Sequence, residues 1–129
     1  MKTLSGGFLF SINEPLAFAG EPIMRKGNIY SVVRDRAPEE IFETLVNSGE
    51  VRVERIISDS QSSPEGFWYD QDRNEWVLLL QGSAGLRFEG EDEIVLLEPG
   101  DWVDIAAHVR HRVEWTDPKQ KTVSLAVFY

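Results

Sequence analysis

The chain has 129 residues, 42% of them hydrophobic and none of them cysteine, a length that fits one domain able to close a core without covalent staples. The lack of cysteine excludes a disulfide framework, a thiolate zinc site, an iron–sulfur cluster and a thiol nucleophile. Thirteen Lys and Arg against 22 Asp and Glu give a net charge of −9, which repels phosphate backbones and argues against nucleic acid as a partner.

At the N-terminus, Lys2, the apolar stretch Leu4 to Ile12 and Ala17-Phe18-Ala19 outline a secretory signal. Gly6, Gly7 and Asn13-Glu14-Pro15 interrupt it, so the reading is a cytoplasmic protein. No apolar run approaches the ~20 residues a bilayer span needs, and no membrane partner is expected. Residues 1–35 read as an extension with short edge strands at 7–12 and 28–33, which would cover a sheet edge or reach a partner subunit. Residues 38–46 read as the one helix. Pro38 suits a first helical position, Glu39 and Glu40 complement the dipole, and Ile41 with Leu45 and Phe42 with Val46 make an i, i+4 stripe.

After Gly49 the period becomes two, and residues 50–129 read as the barrel core. Val51, Val53, Arg55 and Ile57 share one strand face; Arg52, Glu54, Ile56 and Ser58 share the other. Residues 59–66 are polar and loop-like, and Phe67 to Tyr69 is extended. Residues 75–81 are apolar on both faces, as in a central strand, and Trp76, Leu78 and Leu80 require a cover. Further strands follow at 84–89, 93–97, 102–105, 111–116 and 122–129, with turns at Gly82-Ser83, Gly90-Glu91-Asp92, Pro99-Gly100-Asp101 and 116–119. Seven or eight short strands separated by Gly or Pro predict an all-β sandwich or barrel.

The two histidines, His108 and His111, are three residues apart. Alternation places His111, Val113 and Trp115 on one face. That face is the apolar one, so His111 points into the barrel, with His108 in the preceding turn at its mouth. Glu75 opens a strand whose same-face partners are Val77 and Leu79, where an unpaired carboxylate is costly. A metal, a cation such as Arg55, or a wet rim would compensate it. An inward Glu75 and an inward His111 are the beginnings of a carboxylate–imidazole metal site.

The stretch from Gly66 to Tyr129 resembles the cupin superfamily, in particular its small single-domain bacterial members, the conserved-barrel cupins. The first motif of that superfamily has a glycine, two histidines separated by one residue, a glutamate, and a glycine after six more positions. Glu75 and Gly82 carry its second half; the two histidines are replaced within Trp68-Tyr69-Asp70-Gln71. In the second motif Gly100 and His111 match, while Ala106, His108 and Trp115 stand for its proline, second glycine and asparagine. The strings Pro64 to Gln71, Glu75 to Leu80 and His111 to Thr116 look like a subfamily lacking the paired histidines.

The resemblance implies a double-stranded β-helix, a jelly-roll barrel, here with the short helix near 38–46. It implies a divalent metal (zinc, iron, manganese or nickel) held by Glu75 and His111, with His108 and Asp70 as replacement ligands. It also implies a homodimer. Glu75 and His111 are the expected catalytic residues of a small isomerase, epimerase or lyase, and Arg55, Trp68, Tyr69 and Trp115 its expected contacts to a small polar ligand. A non-catalytic metal or small-molecule binding module and a structural dimer with a degenerate pocket are the alternatives.

Overall fold

The computed structural model describes residues 14–18, 21–31 and 38–129. Its ten strands pair only in antiparallel fashion. β1 (Glu14–Phe18) and β2 (Glu21–Lys26) form a separate hairpin. The other eight are β3 (Ile41–Asn47), β4 (Arg52–Ser58), β5 (Glu75–Gln81), β6 (Ala84–Phe88), β7 (Ile94–Leu97), β8 (Trp102–Ile105), β9 (His111–Thr116) and β10 (Thr122–Phe128). They form a five-stranded sheet of order β3-β4-β10-β5-β8 and a three-stranded sheet of order β7-β6-β9. The result is a jelly roll. Among the described residues no helix is long and apolar enough to cross a membrane.

Strand alternation fills the space between the two sheets. Leu79 and Ile105 of the larger sheet meet Ala84, Leu86 and Leu97 of the smaller one as a buried apolar cluster. The chain passes from β5 to β6 through Gly82, whose φ is +82°. A Cβ there would stand 2.5 Å from Thr122 Oγ1 and 2.9 Å from the Lys121 carbonyl oxygen, so both the conformation and the space require glycine.

The helix expected over 38–46 is instead β3. The spacing i, i+4 is even, so Ile41 with Leu45 and Phe42 with Val46 share a face under either period. Pairing decides between them. β3 lies along β4 with Phe42 opposite Ile56 and Glu43 opposite Arg55, and its Ile, Phe, Thr and Val suit a pleated surface. The edge strand expected at 28–33 gives way to a turn at its start. Asn28 Oδ1 accepts from Tyr30 N at 2.7 Å, and the Asn28 carbonyl accepts from Ser31 N at 2.9 Å. Residues 32–33, and the strand expected at 7–12, lie outside the described residues.

The outer face of the larger sheet holds a second buried feature. Arg55 and Glu43 are both 0% exposed. The Arg55 guanidinium donates to Glu43 Oε1 through Nε and pairs with the same oxygen through Nη2. Nη1 donates to the carbonyls of Ile29 and Ser31 at 3.2 and 2.8 Å. The extension is therefore tied to the barrel by Arg55, and also by Arg25, whose Nη2 donates to the Leu45 carbonyl at 2.6 Å. On the same sheet, Trp76 sits 6.0 Å from Trp102, centroid to centroid.

Removing one partner of a buried ion pair strands the other charge away from water. Arg55→Met alone is expected to cost about 3–5 kcal/mol in urea unfolding, and Glu43→Leu with Arg55→Met to recover most of that loss.

Candidate functional site

The cavity lies between the sheets, with a free volume of about 100 Å³. Its walls are mostly apolar, including Val77, Leu79, Leu86 and Ile105. Against this background the polar side chains stand out: Glu40, Ser58, Tyr69, Gln71, Glu75 and His111.

Glu75 opens β5 and His111 opens β9, so the two come from opposite sheets. Both are buried, at 8% and 5% exposure. His111 Nε2 stands 3.5 Å from Glu75 Oε1, a charge contact that is long for a hydrogen bond. On its other side the ring is anchored: Nδ1 lies 2.8 Å from the Val109 carbonyl oxygen. A carbonyl only accepts, so Nδ1 carries a proton and Nε2 is the nitrogen free to gain or lose one.

Aromatic rings hold the imidazole on two sides. Tyr69 stacks on it at 5.5 Å and 24°, and Phe88 lies 5.9 Å away at 33°. The Tyr69 backbone also bridges to His111: each residue's N–H donates to the other's carbonyl, at 2.7 and 3.1 Å. The bridge and the stack together fix the ring's direction.

Burial disfavours a charged imidazole, but Glu75 and the Val109 carbonyl outweigh it, and the His111 pKa lies above its ordinary 6.5. Burial also raises the Glu40 carboxyl above 4.5, against the opposing effect of Ser58 Oγ, which donates to Glu40 Oε2 at 2.6 Å. Tyr69 is pushed up to about 12 by burial, then by the carboxylates of Glu40 and Glu75. Its phenol therefore stays protonated at neutral pH.

The remaining expected site residues are elsewhere. His108 is exposed at a left-handed φ of +68°, with Nδ1 2.9 Å from Asp70 Oδ1 and Nε2 3.7 Å from Asp72. His108 and Asp70 thus pair with each other outside the cavity. Arg55 sits on the outer face because Ile56 and Ser58, of opposite parity, take the inward positions. Trp68 does not line the cavity; the Arg112 guanidinium lies 5.8 Å over its ring.

Trp115 faces out because β9 is bulged. Leu86 pairs with Val113 and Gly85 with Trp115, leaving Glu114 as the extra residue. Val113 and Thr116 therefore both line the cavity. Trp115 instead packs over Gly85, where a Cβ would meet its Nε1 at 2.3 Å. Sequence reasoning missed Glu40, placed by the same strand error that hid β3, and Phe88 as a wall of the histidine slot.

The residues do not fit the four-ligand metal centre expected from Glu75, His111, His108 and Asp70. Among the described residues no three His, Asp or Glu side chains gather to hold a metal ion. Glu75 and His111 supply two donors, and the other two are committed to each other.

No family model matches the chain, and no curated protein does. Solved structures do. The chain is similar to a Ralstonia eutropha JMP134 protein provisionally called a mannose-6-phosphate isomerase: 48% identity, TM-score 0.77, covering 80% of this chain and 95% of that one. A cupin superfamily protein from Desulfitobacterium hafniense DCB-2 matches at 21% identity and TM-score 0.61, over 74% of this chain and 82% of that one. HppE in its Fe(II) form matches at 16% identity and TM-score 0.59, over 70% of this chain and 50% of that one, so iron occurs within the shared fold.

Of the raised groups, Glu40 and His111 set a sign for pH. Each folded pKa exceeds its unfolded value, so each contributes stability below the unfolded value and loses it as pH rises through the folded one. For Glu40 the loss begins above 4.5, for His111 above 6.5. The His111 ring protons should titrate by NMR above 6.5, and Glu75→Gln should move that titration to lower pH, because burial is then opposed only by the Val109 carbonyl. Glu40→Gln should raise Tm by a few degrees at alkaline pH and change it little near pH ~4.

Proposed function

The chain belongs to the cupin superfamily, and from that premise we propose that its barrel is a small-molecule site whose Glu75–His111 pair transfers protons, as in an isomerase or epimerase. The observation that carries the reading is the 3.5 Å contact between His111 Nε2 and Glu75 Oε1 inside an apolar cavity, with Nδ1 anchored on Val109. A carboxylate beside an imidazole whose pKa is raised above its ordinary value suits both the removal of a proton and its return.

In the charged form of the pair, Glu75 is a carboxylate base and His111 an imidazolium acid. Glu75 takes a proton from a carbon next to a substrate carbonyl. The electron pair of that C–H bond moves into an enolate, and Nε2–H donates to the developing oxygen. Return of the proton to the same carbon gives an epimer. In a hydroxy carbonyl compound, Nε2–H protonates the enolate oxygen, and the neighbouring hydroxyl gives its proton back to Nε2 as it becomes the new carbonyl. Return of the carbon-bound proton from Glu75 to the former carbonyl carbon then gives an isomer. Tyr69, its phenol protonated, is a further donor at the cavity wall. The relative at 48% identity has an isomerase's provisional name, which supports this class of reaction for the chain.

No step here runs through a metal, because the donor set does not fit one. The homodimer expected from the sequence is part of the same proposal. Sedimentation equilibrium measures it, and the outward Trp102, 59% exposed, is the side chain to replace.

Incubation with small hydroxy ketones and hydroxy aldehydes in D₂O tests the reaction. The expected outcome is deuterium at the carbon beside the carbonyl, with Glu75→Gln and His111→Asn each slowing exchange by about 10²–10⁴-fold. Ligand binding with no exchange above the uncatalysed rate would leave the non-catalytic binding module as the reading.

A further inference from the structure

The buried, unpartnered side-chain atoms that line the cavity, among the described residues, are oxygens. Gln71 Oε1 has no hydrogen-bond donor, and Glu75 Oε1 has only the long 3.5 Å contact from His111 Nε2. Glu40 adds a third acceptor, held only through Oε2 by Ser58. Buried acceptors without donors are costly, so a ligand that donates to them gains what the empty site forgoes.

Cations are missing from the same walls. No Lys or Arg side chain lines the cavity among the described residues. The nearby guanidinium groups are engaged outside it. Arg55 serves Glu43 and the carbonyls of Ile29 and Ser31. Arg112 serves Glu114 and the carbonyls of Ser63, Pro64 and Phe67. His111 is the one cavity-lining side chain able to carry positive charge among the described residues, and Glu75 already answers it. A phosphate or carboxylate entering here would face Glu40 and Glu75 with no counter-charge of its own. The space is also limited: about 100 Å³, against the ~150 Å³ of a cavity that takes one benzene ring.

We propose that the cavity takes a small, non-anionic hydrogen-bond donor: a molecule bearing hydroxyl or ammonium groups and no phosphate or carboxylate, received by Gln71, Glu40 and Glu75. The proposal rests on the acid–base reading of Glu75 and His111 and narrows its substrate class. A sugar phosphate falls outside this class on charge.

Two probe pairs test it: ethanolamine against glycolate, matched in size so that charge alone differs, and dihydroxyacetone against dihydroxyacetone phosphate, which is larger by its phosphate. Each is titrated into the full chain near neutral pH and followed by the His111 ring resonances, assigned against His108→Asn. The uncharged and cationic members are expected to shift the His111 signals saturably. Their anionic counterparts should bind at least about tenfold more weakly. In Glu40→Gln that gap should narrow several-fold. The proposal is overturned if the anionic members bind as well as their counterparts, or if no probe moves the His111 signals. Failure of the acid–base reading has a separate signature: a His111 titration that does not respond to Glu75→Gln.

Discussion

A carboxylate and an imidazole buried among mostly apolar walls are drawn to answer one another. That constraint organises the barrel. Glu75 comes from the five-stranded sheet and His111 from the three-stranded one, so the charge contact between them spans the two layers. Tyr69 and Phe88 hold the ring, and the Val109 carbonyl fixes which nitrogen faces the acid. The surrounding Val, Leu and Ile side chains keep the local dielectric low, which makes the pairing strong and its loss costly.

Among the described residues, two buried acid–base pairs differ in character. Glu43 and Arg55 form a permanently charged pair on the outer face, satisfied in part by backbone carbonyls of the extension. Glu75 and His111 form a titratable pair on the inner face. A guanidinium does not lose its proton under ordinary conditions, so the outer pair can only hold structure. An imidazole does, so the inner pair can also move a proton. One residue of strand parity, Arg55 against Ile56, separates the two roles.

Strand alternation made much of this legible. Val77 and Leu79 fixed the face of Glu75, and Val113 fixed that of His111, before any coordinates were at hand. The last seven strands were expected close to where they lie. The failures have physical causes. Ile41, Phe42, Leu45 and Val46 satisfy both the helical and the extended period, and only pairing with β4 separates them. Trp115 obeys a period that the bulge at Glu114 interrupts, and a bulge leaves no mark in hydrophobicity alone. Arg55 lies outside the cavity because its strand neighbours Ile56 and Ser58, of opposite parity, occupy the inward face. The resemblance suggested His108 and Asp70 as replacement ligands, but their side chains turn to each other in solvent.

The place of β10 bears on how the protein can be made. It is synthesised after every other described strand, yet it sits in the middle of the larger sheet, between β4 and β5, with no other strand joining those two. A nascent chain emerging from the ribosome therefore carries two unjoined halves until this segment appears. Only then can the wall that Thr122, Ser124 and Phe128 contribute to the cavity exist. Pairings of such long sequence separation form slowly, so vectorial synthesis leaves exposed strand edges waiting for a late partner.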